Sequence, residues 1–177
     1  WHTVATQDIC LLKKQMDIVN ELPKEYLFLN YLRCHDDIGW GLDFETLKDY
    51  GMEEIAHKRF LNDFFTGKTQ GSVSRGELYN DDPVTMDARF CGTTASMCGI
   101  ETALREDNAE KLEEAVRMDV MLHAYMLVQS GIPMLYSGDE IAQLNDNHYK
   151  ENPQKAEDSR YIHRGAFLWE NAKKRKE

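Results

Sequence analysis

The sequence predicts a mixed α/β fold that is part of a (β/α)8 barrel, and three observations carry that expectation. Two short, nearly continuous apolar runs, at 26–32 and 132–136, lie between segments of helical period, and strands alternating with helices imply parallel pairing. Each run ends in a carboxylate cluster followed by a long polar stretch, the layout of a barrel whose chemistry sits at the C-terminal ends of its strands. A complete barrel takes about 250 residues and eight strands, whereas this chain has 177 residues and two convincing strand candidates. The whole span 1–177 is therefore expected to be the C-terminal portion of a barrel, truncated at both ends.

The elements follow in order. Ile9, Leu12, Met16 and Val19 recur at three- and four-residue spacing, so a helix is expected over 6–20, with Pro23 beyond its end. The run at 26–32 does not alternate and fits a strand buried on both faces. Residues 43–66 read as two helical pieces broken near Gly51, the second carrying Ile55, Phe60, Leu61, Phe64 and Phe65. From 67 to 87 periodicity gives way to Gly, Ser, Asn and Asp, as in a long loop. A small-residue helix is expected over 93–104. A stronger one starts near Asp107 or Asn108 and runs through Leu112, Val116, Val120, Ala124 and Leu127 to Gly131, placed as its left-handed C′ residue. The second buried strand, 132–136, leads to Ser137-Gly138-Asp139-Glu140, and 143–164 is another polar loop. A last helix begins at Ala166, its basic tail Lys173 to Lys176 suited to a helix C-terminus.

Composition excludes several functions. Lys and Arg number 21 against 31 Asp and Glu, a net charge of −10, which supplies no cationic field for phosphates, so no nucleic-acid partner is expected. No apolar run is long enough to span a bilayer, and the N-terminus lacks a signal-peptide pattern. Cys10, Cys34, Cys91 and Cys98 lack metal-ligand spacing and are expected as reduced thiols, compatible with the cytosol.

The sharpest chemical feature is His35-Asp36-Asp37 at the end of the first strand. An imidazole beside two carboxylates can bind metal, move a proton, or hold sugar hydroxyls while a carboxylate faces a developing positive charge; as an isolated doublet it reads equally as a solvated turn with Asp37 as a cap. Arg89, after the long loop, reads on spacing alone as a surface arginine. Asp158-Ser159-Arg160 reads as an exposed ion pair worth about 0 to 1 kcal/mol. Glu140, just past the second strand, is either catalytic or a brace at the barrel rim.

Phe28-Leu29-Asn30-Tyr31-Leu32-Arg33-Cys34-His35-Asp36-Asp37-Ile38-Gly39-Trp40 resembles the strand-seven motif of the α-amylase family of glycoside hydrolases, in a form similar to the amylosucrase branch. Gly131-x-Pro133-x-x-Tyr136-x-Gly138-x-Glu140 resembles that family's strand-eight motif. Three further stretches agree in order: Arg59-Phe60-Leu61-Asn62-x-Phe64-Phe65, Arg89-x-x-Gly92-Thr93-x-Ala95, and Leu144-Asn145-Asp146 followed by Asp158-Ser159-Arg160-Tyr161-x-His163-Arg164.

The resemblance implies a retaining enzyme that transfers or hydrolyses a glucosyl unit, from sucrose or a related α-glucoside, with a small carbohydrate as partner and no cofactor or metal. It implies that Asp36 is the transition-state-stabilising carboxylate and His35 a donor-sugar hydrogen-bonding group. Asp37 and Arg89 would pair on the acceptor side, and Arg160 would form an ion pair closing the pocket floor with a partner outside this chain. The nucleophile and acid/base carboxylates, which lie about 5 to 5.5 Å apart in retaining enzymes, would sit on strands four and five, so the chain alone is expected to be inactive and, with open sheet edges, prone to self-association. Two other readings stand beside this one: a metal-dependent phosphohydrolase built on the His35-Asp36 doublet, and a non-catalytic carbohydrate-binding or assembly module.

Overall fold

The computed structural model describes residues 1–174 and is mixed α/β, with eight short to medium helices and five strands of two or three residues among the described residues. Arg175 and Lys176, part of the expected basic tail, lie outside the described residues. No described helix is long and apolar enough to cross a membrane.

The first helical stretch is two helices, α1 (His2–Thr6) and α2 (Cys10–Asn20), because Gln7 adopts a left-handed conformation between them. Strand β1 (Leu29–Asn30) follows, then β2 (Ile38–Gly39). Helices α3 (Phe44–Asp49) and α4 (Glu54–Phe65) break around Gly51 as expected, and the Asp43 carboxylate caps α3 by accepting from the Thr46 amide at 3.0 Å. Strands β3 (Glu77–Tyr79) and β4 (Arg89–Cys91) come next, then α5 (Thr94–Met97) and α6 (Ile100–Arg105). Helix α7 (Ala109–Val128) starts on an Asn108 side chain that accepts from the Lys111 amide. Strand β5 (Ile132–Pro133), three 3-10 turns and α8 (Trp169–Lys173), which starts three residues later than expected, complete the chain.

The expected parallel pair forms: β1 lies against β5 with Leu29 opposite Ile132. Its burial does not. Tyr26, Leu27, Leu29, Tyr31, Ile132 and Leu135 are all exposed, because no described element covers the outer faces of these strands. Gly131 is not the C′ residue of α7, whose capping residue is Gln129; its φ of +128° serves close approach, since a Cβ there would stand 2.5 Å from the Phe28 carbonyl oxygen. Helix α7 also turns a different face inward. Ala115, Asp119 and Met126 are buried and Leu112 is partly buried, while Val116, Val120, Ala124 and Leu127, the other apolar residues that marked the helix, are exposed.

Three strands fall where only loop or motif was expected. β2, β4 and β3 form an antiparallel sheet in that order, with Ile38 opposite Phe90 and Phe90 opposite Leu78. These three side chains share one sheet face and pack on α4. There Phe65 stacks on Phe90 at 4.6 Å between ring centroids and Trp40 stacks on Phe90 at 4.8 Å. Leu61, Phe65, Phe90 and Met97 are completely buried in this cluster. The indole N–H groups are satisfied, Trp40 donating to Asn62 Oδ1 at 2.8 Å and Trp1 to the Leu32 carbonyl at 2.8 Å.

Candidate functional site

The opposite face of the antiparallel sheet carries the polar residues. Gly39 pairs with Arg89 across β2 and β4, and Asp37 lies two residues before Gly39, so Asp37 and Arg89 are diagonal neighbours on one face. Gly39 has no side chain to obstruct them, and Arg89 Nη1 donates to Asp37 Oδ2 at 3.2 Å. Asp37 is thus an ion-pair partner, not a helix cap. Its carboxylate is largely covered while the guanidinium is open to solvent.

Asp36, Asp37, Arg89 and Arg160 line a cleft of about 640 Å³, together with Trp1 and Cys34. His35 stands beside Asp36, its Nε2 3.5 Å from Asp36 Oδ2. Residues 36, 89 and 160 arrive from three separate segments: the bend after β1, the start of β4, and the 3-10 turn Ser159–His163. The last is capped by Asp158, which accepts from the Arg160 amide. Arg160 pairs with Asp158, as the local reading of Asp158-Ser159-Arg160 expects. Its Nε and Nη2 donate to the two oxygens of Asp158, both at 2.8 Å, and its guanidinium lies 4.4 Å over the Tyr79 ring. The pair holds the Asp158 carboxyl below its ordinary pKa. Glu140 does not reach the cleft lining; its carboxylate accepts from the Gly138 amide at 2.8 Å and so braces its own turn.

Three residues to which the sequence assigned no role fix the bend that presents His35 and Asp36. Arg33 is 1% exposed, and its Nη2 donates to the Asp36 carbonyl at 2.7 Å. Arg164 donates from Nε to the His35 carbonyl at 2.6 Å and from Nη2 to Asp36 Oδ1 at 3.2 Å. His163 accepts the Gly92 N–H on Nδ1 at 3.3 Å, and its Nε2 lies within hydrogen-bond distance of both the His35 carbonyl, at 3.1 Å, and Arg33 Nη2, at 3.0 Å. Burial, and then the adjacent Arg33 guanidinium, push the His163 pKa down to about 3, so the ring is neutral at ordinary pH. The available signal was positional: Arg33 is a charged residue just beyond a strand, and His163-Arg164 closes a stretch already singled out.

The four thiols are free, with Cys91 and Cys98 buried, Cys34 partly buried and Cys10 exposed. Burial pushes the Cys91 thiol up to about 12, so it is no nucleophile. Chemically, the cleft offers the Asp36 carboxylate with the His35 imidazole beside it, a second carboxylate paired with the solvent-open Arg89 guanidinium, and a second guanidinium, that of Arg160, stacked on Tyr79 at the wall. Such a set suits a polyhydroxylated neutral ligand, whose hydroxyls both donate and accept. No protein-family model matches the chain.

Proposed function

We propose that the chain is the strand-seven and strand-eight portion of a (β/α)8 catalytic domain, from an amylosucrase-like enzyme that transfers a glucosyl unit from sucrose or a related α-glucoside. One observation carries the reading: Asp36 and Asp37, Arg89, and Arg160, from three distant segments of the chain, gather around a single cleft beyond the C-terminal end of β1. In this reading Asp36 grips ring hydroxyls of the donor glucose and favours the oxocarbenium-like transition state, and His35 hydrogen-bonds the same ring. Asp37 and Arg89 form the acceptor side. The parallel pairing of β1 with β5 and the uncovered apolar faces of both strands are what such a barrel segment would present before its neighbours are added. Arg160 stands at the cleft wall, where a carboxylate from outside this chain would pair with it to close the pocket floor.

The proposal is tested on the intact enzyme by product analysis with sucrose as donor. Arg89→Ala removes the guanidinium paired with Asp37 and loosens the hold on an incoming sugar, while the donor residues His35 and Asp36 stay in place. Water needs no such orientation, so the ratio of hydrolysis to transfer rises. Loss of all activity with an unchanged ratio contradicts the acceptor role.

A further inference from the structure

The bend after β1 carries three different metal-ligand chemistries in consecutive residues. Cys34, His35 and Asp36 each offer one ligand atom, and the three atoms lie within 4.8 Å of one another. Local hydrogen bonding produces the convergence. The Asp36 amide donates to Cys34 Sγ at 3.4 Å, turning the sulfur back over the bend, while His35 Nε2 faces Asp36 Oδ2 at 3.5 Å. Arg164 engages the other carboxylate oxygen, Oδ1, and so leaves Oδ2 on the side of the imidazole. Arg33 and Arg164 pin the carbonyls of Asp36 and His35, so the backbone that displays the three side chains is held from behind.

We infer that Cys34, His35 and Asp36 form a binding site for a thiophilic divalent cation, with Zn²⁺ the ion whose chemistry fits. A thiolate, an imidazole and a carboxylate are zinc ligands, whereas Mg²⁺ and Ca²⁺ take oxygen ligands and would leave the sulfur unused. Zinc–ligand bonds of about 2.0 to 2.3 Å in a tetrahedron place ligand atoms roughly 3.3 to 3.8 Å apart. The His35–Asp36 separation of 3.5 Å already falls in that range, and no other separation in the trio has to shorten by more than about 1.5 Å on binding. The open side chains of His35 and Asp36, 72% and 54% exposed, are free to make that adjustment. Cys34 lines the cleft, so the fourth coordination position is left to water there. Binding displaces the Cys34 thiol proton to solvent and joins the thiolate to the metal, with no change of oxidation state. The net charge of −10 favours cation approach, and the Arg164 guanidinium beside Asp36 limits the affinity. The site is independent of the glucosyl reading; where that reading holds, the ion and a donor sugar compete for the same side chains.

Titration of the 177-residue chain with Zn²⁺ in a chelator-free buffer, followed by calorimetry, tests the inference. One ion should bind per chain, and Cys34→Ser and His35→Asn should each weaken binding by at least the roughly 10- to 100-fold that loss of an outer-shell partner costs. Cys10→Ser, which removes an exposed thiol from the start of α2, should leave the affinity unchanged. Cd²⁺ gives a second readout through its thiolate charge-transfer absorption, which should survive Cys10→Ser and vanish in Cys34→Ser. Absence of saturable one-to-one binding overturns the site, as does an affinity or absorption that Cys34→Ser leaves intact.

Discussion

The antiparallel sheet and the parallel pair treat their apolar residues in opposite ways. In the first, β2, β3, β4 and α4 bury Phe65, Phe90 and Leu61 completely, stack the rings and satisfy the indole N–H groups. In the second, β1 and β5 leave Leu29, Ile132 and Leu135 more than half exposed, and α7 leaves Val120 and Val128 open on its outer side. Both regions carry apolar residues in their strands and helices. The difference lies in partners: a strand is a core element only if something stands on its face, and pairing with one neighbour supplies hydrogen bonds without covering either side. The cleft sits at the junction, taking Asp36 from the bend after β1 and Arg89 from the antiparallel sheet.

That contrast is broken or sharpened first by truncating its centre. Phe90→Ala should destabilise the chain by about 3 to 5 kcal/mol, the usual cost of emptying a buried aromatic site, read from the shift of the urea midpoint. An effect as small as that of a surface substitution would show that the ring stack is not the centre of stability.

Acidification should act on the two regions with opposite sign, at intermediate size. His2 and His57 are buried where α1 meets α4, with Nε2 atoms 2.9 Å apart; burial and its neighbour push the His2 pKa down to about 4, and burial lowers His57. A folded pKa below the unfolded value near 6.5 means that the unfolded chain binds more protons, so this contribution is present above about 6.5 and is lost as pH falls toward 4. His163 adds in the same direction. Beside α7 and β5, burial raises the carboxyls of Asp119 and Asp139, which flank His123 at 3.5 Å each. There the folded chain binds the extra proton, so stability is present below the ordinary carboxylate pKa and is lost as pH rises through the raised value. His2→Gln with His57→Gln should flatten the fall in stability from pH 6.5 to 4, and Asp139→Asn should leave that fall in place. Urea midpoints across the range check both, and parallel curves for wild type and the histidine double variant would contradict the assignment.

The smallest effect is expected on the uncovered strand. Leu29→Ala, at 58% exposure, should change stability by no more than about 0.5 kcal/mol. A loss comparable with Phe90→Ala would mean that the face of β1 is covered in solution, by self-association, and the midpoint would then depend on chain concentration.

How much of this was legible depended on range. The helices α3, α4 and α7 and the Asn108 cap follow from local periodicity and capping chemistry. The strands β2, β3 and β4 did not, because two or three residues such as Ile38-Gly39 show no period and are strands only through pairing across 50 residues of chain. Which face of α7 is buried was also hidden, since Val116 and Ala115 are both apolar and only the packed partners choose between them. In the cleft, Asp36, Asp37, Arg89 and Arg160 were visible as motifs. The residues holding them, Arg33, His163 and Arg164, act through backbone carbonyls of His35 and Asp36, and such contacts leave no pattern in side-chain spacing.

The central claim is that Asp36 meets a glucosyl ring as it acquires positive charge, and kinetics of Asp36→Asn in the intact enzyme with sucrose test it most directly. Loss of a group that acts mainly in the transition state lowers kcat and leaves KM nearly unchanged, by about 10² to 10³ on the scale of other preorganised electrostatic groups. A variant with near-normal kcat and only a raised KM would contradict the role given to Asp36.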